Sequence, residues 1–147
     1  MKAVFETRFA KIGEANQHYQ TAKINSTQAA TCWAANCLGG YFDERLDQEE
    51  FLIATLDTKL NVRRVVRITR GTLDASLVHP REVFRPAIAD ACSAVLLIHN
   101  HPSGDLTPSR QDREITDRLK KCGEILGIQV LDHVIVGDGR AVSLAEC

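Results

Sequence analysis

AVLLIHNHPSGDLTPSRQD, from Ala94 to Asp112, changes character in its middle. Ala94–Ile98 is short, wholly apolar and followed by a turn, so it reads as a strand buried on both faces. Two histidines one residue apart, His99 and His101, close that strand. Side chains alternate along a strand, so both histidines point to one side and Asn100 to the other. The carboxyl end of a buried strand is where open α/β sheets place their ligands. Pro102–Asp105 then turns the chain. Thr107-Pro108 offers a cap and a first helical residue, which predicts a helix from Pro108 to about Leu126.

That helix decides what the histidines are for. Ile115, Leu119, Cys122 and Leu126 recur at helical spacing, which predicts a core-facing stripe, and Asp112 lies one step before it. A carboxylate on the buried face of a helix is costly unless it is paired or holds a cation. Two imidazoles and one inward acid suit zinc, with a fourth position open to a catalytic water. Ser109 to Asp112 also fits a capping box. With Thr107-Pro108 read as the helix start, however, those two residues are surplus to capping.

Working outward, Asn25-Ser26-Thr27 predicts the cap of a helix carrying QAATCWAANCL, closed by Gly39-Gly40. Phe51–Asp57 and Val62–Ile68 predict a hairpin with a four-residue loop. Pro80 opens a helix whose stripe is Val83, Phe84, Ala87, Ile88 and Ala91, with Pro86 expected to kink or loosen it. IQVLDHVIVG and AVSLA add two further strands. Strands and helices interleave, so the fold class is α/β: a single domain with a mixed β-sheet flanked by helices. Residues 1–24 are polar and weakly patterned, an N-terminal arm of unassigned structure. The domain proper is expected over 25–147.

The composition narrows the function. Of 147 residues, 44% are hydrophobic and 25% charged, which suits a soluble globular chain. Eighteen basic residues face nineteen acidic ones, so direct nucleic-acid binding is not expected. No apolar run approaches a bilayer span and no signal-peptide core is apparent, so no membrane is expected and the cytoplasm is the expected compartment. Five cysteines without a CxxC pair predict neither a disulfide framework nor a redox motif. Arg63, Arg64, Arg67 and Arg70 crowd one hairpin strand. They read as a solvated edge that discourages strand pairing or, less often, as a docking surface for an acidic partner or a phosphate backbone. His133 reads as a hydrogen-bonded structural residue and His79 as a helix-entry residue.

His-x-His, seven residues, Ser, two residues, Asp matches the JAMM (MPN-plus) metalloprotease motif at His99, His101, Ser109 and Asp112. GTLDASLVHPREVFRPAI, the HNHPSGD turn and LDHVIVG resemble the bacterial RadC family still more closely, with Pro86 a departure from its pattern. The resemblance runs from about Asn25 to the C-terminus. It does not include the N-terminal helix-hairpin-helix region of full-length RadC proteins, so the chain is expected to be the catalytic-type domain alone.

The resemblance implies a JAB/MPN (cytidine-deaminase-like) architecture with one zinc ion per chain on His99, His101 and Asp112. It also implies a glutamate base upstream. Glu49 and Glu50 both precede the strand FLIATLD, and on the residues alone either is a solvated strand-end charge. The family's E-x-F-x-x-x-x-L-D register aligns Glu49, which becomes the general base, with Ser109 a hydrogen-bond donor to the oxyanion. The implied activity is a zinc metallopeptidase or isopeptidase acting on a protein or peptide of unnamed identity. The alternatives are a DNA-repair or recombination accessory protein and a non-catalytic zinc scaffold. Retention of Ser109 and Glu49 beside the ligands favours catalysis. Homo-oligomerisation is left open.

Overall fold

The computed structural model describes residues 4–7, 10–14, 22–43, 48–71 and 78–146. Strands β1 (Val4–Thr7) and β2 (Ala10–Glu14) lie within the stretch expected as an arm, whose residues 1–3, 8–9 and 15–21 fall outside the described ones. Helix α1 (Thr27–Trp33) is capped by Ser26, whose hydroxyl accepts from Ala29 N at 3.0 Å. It runs through a π-helical turn (Ala34–Leu38) into α2 (Gly39–Asp43). Then follow β3 (Glu49–Leu56), β4 (Val62–Gly71), α3 (Pro80–Ala89), β5 (Ala94–Asn100), α4 (Arg110–Leu126), β6 (Gln129–Gly137) and β7 (Arg140–Ser143).

The strands form one sheet in the order β2-β1-β4-β3-β5-β6-β7. β1–β4 and β5–β6 are parallel and the other neighbours antiparallel, giving the mixed α/β sheet that the pattern predicts. Every residue of β5 is buried, because its two faces serve two separate cores. Leu96 and Ile98 pack with Trp33 and Leu38 on one side, while Val95 and Leu97 pack with Ile115 and Leu119 on the other. Each such side chain contributes about 1.5–3 kcal/mol on burial. That double anchoring makes the strand end a rigid support for His99.

Three expectations about the helices are corrected. Gly39-Gly40 does not close the first helix: Gly39 keeps right-handed helical angles, because Leu38 and Phe42 on either side both reach the core. Thr107-Pro108 does not start α4: its N-cap is Ser109 and its first residue Arg110, since the Ser109–Asp112 box satisfies two backbone donors at once. The predicted stripes fray at their ends, with Ile88, Ala91 and Leu126 exposed. Pro86 lies inside α3, three residues before its last helical position.

The arginine strand is not an edge, because β4 lies between β1 and β3. Its guanidinium groups serve the chain's own acceptors: Arg64 reaches Asp90 at 2.6 Å, Arg67 reaches Glu50 at 2.9 Å and Arg70 reaches Gln48 at 2.5 Å. Among the described residues no helix is long and apolar enough to cross a membrane.

Candidate metal centre

β3 and β5 pair with Phe51 opposite His99, so Glu49, Phe51 and His99 share one face of the sheet. Past His99 the strands part. His101 N donates to Val136 O at 3.0 Å and the chain turns, with Gly104 N donating to His101 O at 3.0 Å. Gly104 takes φ 83°, a left-handed angle that suits glycine. The turn packs tightly on Gly137, where an added Cβ would stand 2.8 Å from Leu106 Cδ2 and 2.9 Å from His101 O.

The turn delivers α4 with Asp112 facing inward. His99 Nε2, His101 Nε2 and the Asp112 carboxylate lie within 4.8 Å of one another and form a group that could hold a metal ion. The two Nε2 atoms are 2.9 Å apart; Asp112 Oδ1 is 3.2 Å from His99 and Oδ2 3.2 Å from His101. Asp112 is both cap and candidate ligand. Its Oδ2 accepts from Ser109 N at 2.7 Å, and its own N donates to Ser109 Oγ at 3.1 Å.

These groups fit a cation. His101 Nδ1 lies 2.7 Å from Asp105 O. A carbonyl can only accept, so Nδ1 carries the proton of the neutral ring and Nε2 faces the centre with its lone pair. Lone pairs of nitrogen and carboxylate converging this closely repel unless a positive charge sits among them. Burial draws the His99 imidazole below its ordinary pKa, against the pull of Asp112. For His101 burial acts the same way, but the nearby Asp112 carboxylate and Asp105 carbonyl outweigh it and raise the value. Burial would raise Asp112, yet the adjoining His101 and His99 rings and the N–H of Ser109 hold it far below the usual carboxylate range.

The centre opens onto a cleft of about 780 Å³ whose walls include Glu49, His101, Ser109, Gln111 and Asp112. Both histidines feel the Glu49 charge. Glu50 points to the opposite face of the sheet, fully buried against Arg67. Ser109 Oγ accepts from Asp112 N, which leaves its own proton to donate into the cleft.

Three residues support the centre, and of these the sequence marked only His133, as a hydrogen-bonded structural residue. Asn100, on the face away from the histidines, accepts from Glu50 N at 2.7 Å and donates to Gln48 O at 3.0 Å. It pins the backbone on both sides of Glu49 where the ladder between β3 and β5 has ended. His133 and Thr116 are buried behind His99. Thr116 lies one helical turn after Asp112, a spacing that could have flagged it. Asn100→Ala is expected to lower the unfolding free energy by about 1–3 kcal/mol, because buried backbone groups lose their partners. Urea titration measures this, and a variant as stable as wild type would show that water replaces both bonds.

A family model described as the RadC-like JAB domain matches residues 26–147. The chain is 54% identical over 101 residues to a UPF0758 protein of Staphylococcus haemolyticus, covering 69% of this chain and 44% of that one. A UPF0758 protein of Trichlorobacter lovleyi is 56% identical over 99 residues, covering 67% and 43%. One from Clostridium perfringens is 42% identical over 149 residues, covering 99% of this chain and 66% of its own length. The chain thus spans under half the length of the first two relatives and about two thirds of the third.

Proposed function

The chain belongs to the RadC-like JAB domain family, and from that premise we propose that it is a zinc-dependent amide hydrolase of JAMM type, a peptidase or isopeptidase working in the cytoplasm. The observation that carries the reading is the convergence of His99 Nε2, His101 Nε2 and the Asp112 carboxylate beside a cleft that His101 and Asp112 line together with Glu49. Two imidazoles and one carboxylate are a donor set suited to zinc, which when bound supplies Lewis acidity and lowers the pKa of water to about 7.

The chain's own residues do the rest. Glu49 takes a proton from the attacking water and passes it to the departing amine nitrogen. Ser109 donates a hydrogen bond from its hydroxyl to the amide oxygen as that oxygen gains charge. The cleft is lined by Glu49, Ser109 and Gln111 among other polar side chains, and we read it as the seat of a peptide or isopeptide.

The test is the zinc content of protein produced in zinc-supplemented medium, followed by hydrolysis of peptide and isopeptide libraries. One zinc per chain with metal-dependent cleavage is expected. Protein that takes up no zinc, or loaded protein that cleaves nothing in either library, would overturn the proposal.

DNA is not expected to be the direct substrate. The chain is nearly neutral, and Arg64, Arg67 and Arg70 are committed to internal acceptors. Phosphate-dominated binding needs several free cations and weakens steeply with salt. Fluorescence anisotropy should detect only weak duplex binding, lost near physiological ionic strength. Tight, salt-resistant binding would promote a repair role above the hydrolase.

A further inference from the structure

His133 supplies no ligand atom, yet its ring is fully buried against the centre. Its Nε2 lies 2.6 Å from His99 Nδ1, and its Nδ1 lies 2.6 Å from Thr116 Oγ1. Thr116 Oγ1 is also 2.7 Å from the carbonyl oxygen of Asp112. The proton positions along this chain follow from one constraint. A carbonyl oxygen only accepts, so the single hydroxyl proton of Thr116 goes to Asp112 O. The hydroxyl oxygen must then accept, which places the proton of a neutral His133 on Nδ1. That leaves Nε2 of His133 without a proton, so it accepts, and His99 must donate from Nδ1. His99 Nε2 keeps its lone pair, and that atom is the one facing His101 and Asp112.

We propose that Thr116 and His133 are positioning residues: they fix His99 in the tautomer protonated on Nδ1, so that Nε2 is offered to a divalent cation. The inference rests on the zinc reading above. A register shift between Val95 and Leu96 aims the relay, because Val95 pairs with Val130 but Leu96 with Asp132, leaving one extra residue in β6. That extra residue turns His133 to the His99 face and Asp132 to the other. The Phe51 ring closes the space between them, stacked on His99 at a centroid distance of 6.4 Å and edge-on to His133 at 5.6 Å. The relay is anchored on the backbone of Asp112, the residue that offers the third ligand, so ligands and support form one unit.

The test has two arms. In metal-free, ¹⁵N-labelled wild-type protein, long-range imidazole spectra should show His99 protonated on Nδ1 with Nε2 bare. In chelator competition, Thr116→Val and His133→Phe should bind zinc about 10–100-fold more weakly, the usual loss when a ligand's hydrogen-bond partner is removed. Thr116→Ser, which keeps the hydroxyl, should retain wild-type affinity. The visible spectrum of the cobalt-loaded protein should shift in Thr116→Val and not in Thr116→Ser, a distinction that loss of packing alone would not produce. A His99 protonated on Nε2, or a folded Thr116→Val with wild-type affinity and spectrum, overturns the proposal. If Thr116→Val fails to fold, the wild-type tautomer still decides it. A wild-type chain that binds no zinc sinks the zinc reading, whereas the tautomer still tells whether the relay exists.

Discussion

Replacing His101 with Ala is expected to give a protein that folds but holds no stoichiometric zinc. The proposed centre has three protein ligands, and an open site has none to spare. The loss should exceed the 10–100-fold typical of removing a supporting partner, because a direct bond to the cation disappears. His101 is the cleanest ligand to remove. Its side chain is 13% exposed and sits where β5 gives way to the turn, so truncation opens little buried volume. Asp112→Ala would remove half of the capping box at the same time and cost α4 about 0.5–2 kcal/mol. His99→Ala would hollow out the core beneath Phe51. Elemental analysis after dialysis, paired with a thermal melt, separates lost metal from lost fold. A His101→Ala protein that still binds one zinc per chain at wild-type affinity would show that the ligands are misassigned.

How much of this was legible depended on whether a contact is written into local periodicity. The β5 run, its paired histidines and the inward Asp112 were legible, because a strand alternates by two and a helix repeats by 3.6 whatever surrounds it. The start of α4 was misread for a local reason. Thr107-Pro108 and Ser109–Asp112 are both sound helix beginnings, and the second prevails because it satisfies two backbone donors and not one. Treating capping and ligation as rivals was the underlying error, since Asp112 caps with Oδ2 and still faces both histidines.

The supporting residues were beyond periodicity. Alternation counted from Val130 puts Asp132, not His133, on the face of the candidate centre, and the bulge that reverses this arises only when β6 pairs with β5. Asn100 was legible as pointing away from the histidines, but its purpose depends on β3 lying alongside, fifty residues earlier in the chain. The arginines of β4 were misplaced on an edge for the same reason. Nothing in Val62–Gly71 announces that β1 will pair with it in parallel. The π-helical turn likewise follows from where Leu38 and Phe42 meet the sheet, and two consecutive glycines give no hint of it.

Glu49→Gln should keep zinc, fold and melting temperature while lowering kcat by about 10²–10⁴-fold, the range for losing a positioned proton carrier. At 1.36 kcal/mol per tenfold, that is about 2.7–5.5 kcal/mol of barrier. The choice between Glu49 and Glu50 rests on pairing, because Phe51 stands opposite His99 and a strand alternates by two. Glu49 therefore faces the cleft, and Glu50 lies under the other side of the sheet with Arg67 at 2.9 Å. A buried carboxylate held by a guanidinium has no route to a water at the histidines. Gln preserves the size and hydrogen-bonding reach of Glu but cannot take up a proton, so the substitution isolates that one capacity. KM should change little if Glu49 acts in the transition state and not in holding substrate. Glu50→Gln should do the reverse, weakening the fold by leaving Arg67 without its charge partner while the folded fraction turns over normally. The measurement is steady-state hydrolysis of whichever peptide or isopeptide the library screen returns, at equal zinc loading. A Glu49→Gln enzyme within about tenfold of wild type, with Glu50→Gln inactive though folded, would transfer the role to Glu50 and require β3 to slip by one residue against β5.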